Sequence, residues 1–399
     1  MNILFLTIVY PENDTNLYSD LMQEFVKKGH EVYVVTSRER RCRKNTSLDL
    51  ERGVNILRVK SLNLQKTNIF EKGLATILID QQYISAIKKY YKDIPFDLVM
   101  YSTPPVTFAR VINYCKKVYK ARTYLLLKDI FPQNAVDLNL IKESSLIYKY
   151  FRSKEKKLYG LSDYIGCMSP KNVEYLLRNN PELSIEKTEV CPNSITPKCL
   201  NGITYESKCN IRNKNGLPTD RLLLLYGGNL GKPQGINFLL DILISNKHNI
   251  DVFFLIVGAG TEYALLERSI EQNGIENVKL IEMLPKNGYE ELVQASDVGL
   301  IFLDKRFTIP NFPSRLLSYM EYSLPVIAAT DVNTDIGPII EQGKFGFWCQ
   351  SGDINGFNSL LRKVLNNEQL SAMRINSRRF LDENYTCATS VDIILQHFL

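Results

Sequence analysis

The chain has 399 residues, 45% hydrophobic and 23% charged, with a formal net charge of +6, which predicts two soluble globular domains rather than one. No apolar run approaches the roughly 20 residues of a membrane span, and residues 1–10 read as a first strand, too short and lacking the basic start of a leader. The eight cysteines, Cys191 and Cys199 among them, show neither CxxC nor Cys/His ligand spacing, which argues for reduced thiols in a cytoplasmic protein and against a zinc site.

In chain order, residues 2–10 form an apolar strand. Asn16 is placed to cap a helix bearing Leu17, Leu21 and Phe25, Gly29 closes it, and residues 31–37 form a second strand. A βαβ opening of this kind predicts a doubly wound parallel sheet, with ligands at the carboxyl ends of its strands. The loop 10–15 (YPENDT) lies at such an end but lacks glycine, and no GxGxxG is present. Arg38, Arg40, Arg41, Arg43 and Lys44 make a first basic run. A strand over 54–59 and a helix over 70–91 follow, the helix with Leu74, Ile77, Leu78, Ile84 and Ile87 as its apolar stripe. Residues 97–101 are a strand, then come Ser-Thr-Pro-Pro at 102–105, with Thr103 a candidate substrate contact, and a helix from Val106. The strand 122–127 runs into Lys128-Asp129-Ile130-Phe131-Pro132. Asp129 at a strand tip is either a carboxylate facing a cleft or the cap of the next helix. Lys149, Arg152, Lys154, Lys156 and Lys157 form a second basic run, interleaved with Tyr148, Tyr150, Phe151 and Tyr159. Both runs read either as solvated surface or as attraction to anionic lipid or a lipid diphosphate. No nucleic-acid module accompanies them. Short strands at 164–168 and 188–192 complete this half.

Residues 193–220, rich in Asn, Pro, Lys, Gly and Thr, read as a linker. A second α/β series begins with the strand 221–226 and the loop Gly227-Gly228-Asn229-Leu230-Gly231-Lys232-Pro233-Gln234-Gly235, whose glycines let backbone N–H groups approach a phosphate while Lys232 adds charge. The strand 251–257 ends in Gly258-Ala259-Gly260-Thr261, the strand 278–281 is followed by Met283-Leu284-Pro285, and residues 298–303 are a strand. Residues 307–330 (FTIPNFPSRLLSYMEYSLPVIAAT) read as loop, helix and buried strand. Asn311 or Ser314 would cap the helix, Pro313 suits its first turn, and Ser314, Arg315 and Glu321 are expected on one face. A hydroxyl and a cation at the anion-binding start of a helix, with a carboxylate farther down, suit a ligand carrying phosphate at one end and a ribose diol at the other. Helices over 356–365 and 368–384 and an apolar tail end the chain.

GGNLGKPQG, VGAGTE and PSRLLSYMEYSLPVIA, in that order and at these separations, resemble the donor half of GT-B glycosyltransferases of the retaining GT4 type. The nearest likeness is to enzymes of bacterial capsule, O-antigen and exopolysaccharide synthesis. The opening PENDTNLYSDLMQEFVKKGHEVYVVT resembles the family's first βαβ unit. The resemblance implies an α/β, GT-B architecture of two Rossmann-like doubly wound domains facing a central cleft. The acceptor domain would span 1–205 and the donor domain 206–385, with a terminal helix 386–399 packing back on the first. By position, Glu321 matches the second glutamate of the EX7E motif, which holds the donor ribose, while Pro313 stands where the first would be. Pro313-Ser314-Arg315 matches the Pro-Ser-Lys-like variant of polymer-assembly enzymes, and Asp129 matches their Asp-x-x-Pro. The family's phosphate-binding Arg and Lys fall at Asn229 and Gln234, leaving Lys232 and Arg315 to replace them. Of His30, His248 and His397, none corresponds to the family's catalytic-region histidine.

The expected activity is metal-independent transfer, without a further cofactor, of a hexose, N-acetylhexosamine or deoxy-amino sugar from a nucleoside diphosphate, UDP ahead of GDP, to a polyprenyl-diphosphate-linked saccharide. Asp129, Lys232 and Arg315 would be catalytic. Asn16, Thr103, Gly227, Gly228, Asn229, Gln234, Gly258, Gly260, Met283, Leu284, Pro313, Ser314 and Glu321 would bind substrate. The enzyme would sit peripherally on the inner face of the plasma membrane, touching anionic lipid. The alternatives are a UDP-sugar 2-epimerase and a non-catalytic GT-B subunit.

Overall fold

The computed structural model describes residues 1–12, 14–64, 69–200, 202–366 and 369–398. It divides into two compact units, residues 1–196 with 386–399, and residues 197–385.

In the first unit, β1 (Asn2–Leu6), β2 (Glu31–Glu39), β3 (Ser47–Glu51), β4 (Val54–Ser61), β5 (Leu98–Ser102), β6 (Arg122–Leu127), β7 (Tyr164–Cys167) and β8 (Thr188–Val190) form one sheet in the order β3-β4-β2-β1-β5-β6-β7-β8. All neighbours are parallel except β3 and β4. Asn16 caps the helix Leu17–Lys27 reciprocally with Ser19. The helix buries Leu21, Met22 and Phe25, and Gly29 leaves it at φ 83°. Residues 386–398 pack on this unit: Cys387 N–H donates to the Ile195 carbonyl at 2.9 Å, and Val391, Ile394 and Leu395 join the core built on β1 and β2. Leu399 lies outside the described residues.

The helix Ile69–Tyr90 does not bury the expected stripe: Ile77 is 56% exposed, Leu78 is exposed too, and the Leu74 side chain lies outside the described residues. Ala75, Ile79, Asp80, Tyr83 and Ile87 face inward instead. Asp80 turns the face, because its carboxylate accepts from the backbone N–H groups of Arg110 (3.2 Å) and Val111 (3.1 Å) at the start of the helix Ala109–Tyr119. The antiparallel β3 is an addition to the expected elements; it leaves Leu48 and Leu50 exposed and so lacks a buried face.

In the second unit, β9 (Leu222–Asn229), β10 (Val252–Ala259), β11 (Val278–Ile281), β12 (Val298–Phe302), β13 (Val326–Thr330) and β14 (Gly346–Gln350) form an entirely parallel sheet in the order β11-β10-β9-β12-β13-β14. Its central strands are buried along nearly their whole length, as a sheet with both faces covered requires. β14, like β3, is an addition. The chain from Leu370 to Asn384 is helical; Glu368, expected within that helix, lies outside the described residues. Among the described residues no helix is long and apolar enough to cross a membrane.

The expected linker at 193–220 contains a helix, Tyr205–Lys214, capped by Thr204. Charge rather than an apolar stripe anchors it. Arg212, only 4% exposed, donates to Asp297 at 2.6 Å, to the Ala295 carbonyl at 2.9 Å and to the Arg221 carbonyl at 3.1 Å, and Lys208 pairs with the same carboxylate. Burial pushes the Asp297 carboxyl up, but Lys208 and Arg212 outweigh it and hold it below its ordinary range. Removing it leaves cations buried and unpaired, so Asp297→Ala is expected to lower unfolding stability by about 3–5 kcal/mol. The wild-type contribution is present above the ordinary carboxylate range and lost as pH falls through the depressed native value. Urea unfolding at neutral pH checks this. An unchanged midpoint would show the cluster to be ornamental.

Candidate active site

A polar arrangement of the second unit gathers at the carboxyl end of β9. The strand delivers Tyr226, Gly227, Gly228 and Asn229 to the sheet edge. Gly228 has φ 124°, a backbone that L side chains rarely adopt. A Cβ on Gly227 would overlap the Tyr289 hydroxyl. The Tyr226 hydroxyl donates to the Asn229 carbonyl at 2.8 Å. Tyr319 accepts from the Gly227 N–H at 3.1 Å, and its single hydroxyl proton is shared between the carbonyls of Leu225 (3.1 Å) and Leu300 (3.2 Å), locking the strand end to the helix behind it.

Arg315 enters this setting from the first position of the helix Arg315–Glu321. Its guanidinium lies 4.5 Å from the centre of the Tyr226 ring, and Nη2 donates to Gln234 Oε1. Nη1 is buried and has no hydrogen-bond partner among the described residues. An unpaired buried donor carries a desolvation cost of about 1–3 kcal/mol, more for a charged group, so it marks a place where an acceptor is expected. Gln234 precedes Gly235, at φ 58°, in the short turn Lys232–Gln234. Gln234 thus orients the Arg315 guanidinium. Lys232 is exposed and forms no ion pair among the described residues.

The remaining donor candidates serve the scaffold in several ways. β10 pairs with β9 in a register that sets Gly258 opposite Gly228, and a Cβ on Gly258 would overlap the Gly228 carbonyl oxygen. A Cβ on Gly260 would overlap the Leu230 carbonyl. Both glycines therefore let the two strand ends lie flush. Met283 is 66% exposed and Leu284 partly buried in the turn after β11.

Pro313 and Ser314 precede the helix, but neither Ser314 nor Asn311 caps it by a side chain: Ser314 is helical at φ −60° with no capping bond, and the Asn311 amide donates to the Ile309 carbonyl. Glu321 and Arg315 do not share a face, since six residues at 3.6 per turn leave them about 120° apart. Glu321 is buried, and its Oε1 accepts from the Lys198 backbone N–H at 3.0 Å. Burial pushes its carboxyl up.

In the first unit, Asp129 stands just past β6. Its main chain is fixed by the buried Thr103, whose hydroxyl donates to the Asp129 carbonyl at 2.9 Å and accepts from the Lys128 and Asp129 N–H groups at 3.1 and 3.2 Å. The Asn134 amide donates to both carboxylate oxygens, at 2.8 and 2.9 Å. Burial raises the Asp129 carboxyl to about 6, against the lowering pull of Asn134 and the Ile130 N–H. Such a group is mostly ionised at neutral pH yet keeps far more proton affinity than a surface aspartate, as general-base work requires. The Asn16 side chain is spent on capping.

The sequence reading missed Tyr226, Tyr289 and Tyr319 around Arg315, and Asn134 behind Asp129. Tyr226 immediately precedes the paired glycines and Asn134 follows Asp129 by five residues in DIFPQN, but only the fold turns those positions into contacts.

Residues 207–380 match the family model described as glycosyl transferases group 1. Among curated proteins, the chain is 22% identical over 325 residues to the probable glycosyltransferase WbjE of Pseudomonas aeruginosa, covering 80% of this chain and 78% of that one. It is 22% identical over 251 residues to the putative colanic acid biosynthesis glycosyl transferase WcaI of Escherichia coli (strain K12), covering 61% and 60%. Among solved structures, Anabaena Alr3699/HepE in complex with UDP-glucose superposes with a TM-score of 0.72 at 16% identity, over 100% of this chain and 99% of that one. At that identity the likeness is one of fold.

Proposed function

We propose that this chain, a GT-B protein that belongs to the group 1 glycosyl transferases through residues 207–380, moves a sugar from a nucleoside diphosphate, UDP ahead of GDP, onto a lipid-linked saccharide in surface-polysaccharide synthesis. The transfer retains the anomeric configuration and proceeds without a metal. The observation that carries the reading is the buried, unpaired Nη1 of Arg315, stacked on Tyr226 beside Gly227 and Gly228. UDP is favoured because the fold is shared with a HepE structure that holds UDP-glucose, and polysaccharide synthesis because WcaI is named for colanic acid.

The difficult event is departure of the diphosphate as negative charge develops on it. Arg315 is fixed in place before the reaction, which is where electrostatic catalysis gains most. Lys232 adds a mobile cation from the exposed turn. Glu321 holds the ribose through whatever accepting capacity its bond to Lys198 leaves. Asp129 takes the acceptor proton or stabilises positive charge at the anomeric carbon, with Asn134 and Thr103 holding it in position. The acceptor lipid places the protein on the inner membrane face.

Product analysis tests the reading. UDP-sugars incubated with a polyprenyl-diphosphate saccharide are expected to give UDP and a lengthened lipid saccharide, and no altered sugar nucleotide when the acceptor is left out. An epimerised UDP-sugar without acceptor would replace the reading with the epimerase. No turnover of any sugar nucleotide would favour a non-catalytic subunit.

A further inference from the structure

The two basic runs differ once folded. In the first, Arg38 is buried against Glu12 and Asp49, Arg40 pairs with Glu71, Arg41 with Glu39 and Lys44 with Glu12. That surface is largely neutralised. In the second, among the described residues, only Arg152 and Lys156 are paired, with Glu155 and Glu182. Lys149, Lys154 and Lys157 meet no carboxylate within ion-pair distance among the described residues. All belong to the helix Leu146–Leu161, which turns Glu155, Leu158 and Tyr159 inward and so fixes which face looks out.

That outward face carries an unusual load. Leu146 is 82% exposed, Ile147 57% and Tyr150 43%, all within the first two turns. At 3.6 residues per turn Leu146, Tyr150, Ser153 and Lys157 follow one another along one line, with Ile147 and Lys154 beside it. The Lys154 ammonium sits 5.1 Å from the Tyr150 ring centre. The only carboxylate in residues 138–154 is Glu143. Clustered exposed apolar groups are costly to leave in water and mark contact surfaces. Apolar and aromatic side chains ringed by unpaired lysines, whose long stems let their charges rise to the headgroups, are the pattern of a helix lying in a membrane interface.

We propose that the helix Leu146–Leu161 is the surface by which this protein rests on anionic lipid, with Leu146, Ile147 and Tyr150 entering the interface and Lys149, Lys154 and Lys157 pairing with headgroups. The inference rests on the lipid-linked acceptor proposed above and names the face that meets the membrane. The basic run at 38–44 takes no part.

Co-sedimentation of the full chain with vesicles tests it. Wild type is expected to bind phosphatidylcholine vesicles containing one quarter phosphatidylglycerol and to bind pure phosphatidylcholine at least tenfold more weakly. Leu146→Glu/Ile147→Glu and, separately, Lys149→Glu/Lys154→Glu/Lys157→Glu should each lower binding to the anionic vesicles at least tenfold. Arg43→Glu/Lys44→Glu should change it less than twofold. All these positions are exposed except the half-buried Lys154, and melting curves verify the folds. No binding to anionic vesicles, binding that survives both helix variants, or equal loss in the 43/44 variant would each overturn the proposal. Transfer to a water-soluble acceptor, read on the same proteins, reports separately on the transferase reading and should be unchanged in every variant.

Discussion

Arg315→Ala is expected to lower kcat/KM for the sugar nucleotide by about 10²–10³-fold, the effect of removing one preorganised charge-stabilising donor from an active site. The expectation follows from the side chain's surroundings. The guanidinium is held over Tyr226 and by Gln234, while Nη1 has no partner among the described residues. On the proposed function, the folded protein bears the cost of burying a donor whose partner is the substrate. Arg315→Lys is expected to recover only part of the loss, because an ammonium neither stacks flat on the tyrosine nor presents two donors in a fixed fork. Loss of the stacking itself should cost stability by no more than about 2 kcal/mol, so a thermal melt separates misfolding from lost chemistry. Kinetics within threefold of wild type in a folded Arg315→Ala protein would remove Arg315 from the mechanism.

Asp129→Asn is expected to cost about 10²–10⁴-fold in kcat, the range for loss of a positioned acid–base group. Two pH signatures accompany it. With its carboxyl raised to about 6 by burial, Asp129 should give the wild-type rate an acid limb near pH 6, with activity falling below it. Asn134→Ala, which removes a bond favouring the carboxylate, should move that limb upward while Asp129 remains in place. The stability effect has the opposite sign to the activity effect. A carboxyl raised above its ordinary 3.8 binds its proton more tightly in the native state, so its contribution is favourable at low pH and is lost as pH rises through about 6. Asp129→Asn should therefore melt higher than wild type at pH 8, by up to about 3 kcal/mol of stability, and show little difference at pH 4. Calorimetry at the two pH values with a rate profile checks both. A variant that is active, or that melts lower at pH 8, would show Asp129 to be a structural carboxylate.

The sequence carried the architecture further than the chemistry. Asn16, the helix after it and Gly29 are local signals, and the continuous apolar run of β9 into Gly227-Gly228 is legible because a parallel strand buried on both faces must be apolar throughout. The failures share one physical cause, tertiary partners that overrule local pattern. Asp80 faces inward because another helix offers it two N–H groups, which rotates the buried stripe away from Ile77 and Leu78. The helix Tyr205–Lys214 has no apolar period because Arg212 and Lys208 anchor it on Asp297, 85 and 89 residues away. The basic character of 38–44 vanishes only when Glu12, Asp49 and Glu71 arrive from elsewhere. At the candidate site Arg315 could be picked by position, but the Tyr226 ring beneath it and the unpaired nitrogen could not, since both depend on β9 and the 315–321 helix meeting edge to end.

The most direct measurement is an isothermal titration of UDP into the wild-type chain, with Arg315→Ala titrated alongside. Saturable one-to-one binding that weakens at least tenfold in the variant is the predicted result. Absence of heat and of competition by UDP-sugars in the folded wild type, or equal affinity in the variant, would contradict a donor site built on Arg315 and the Gly227-Gly228 turn.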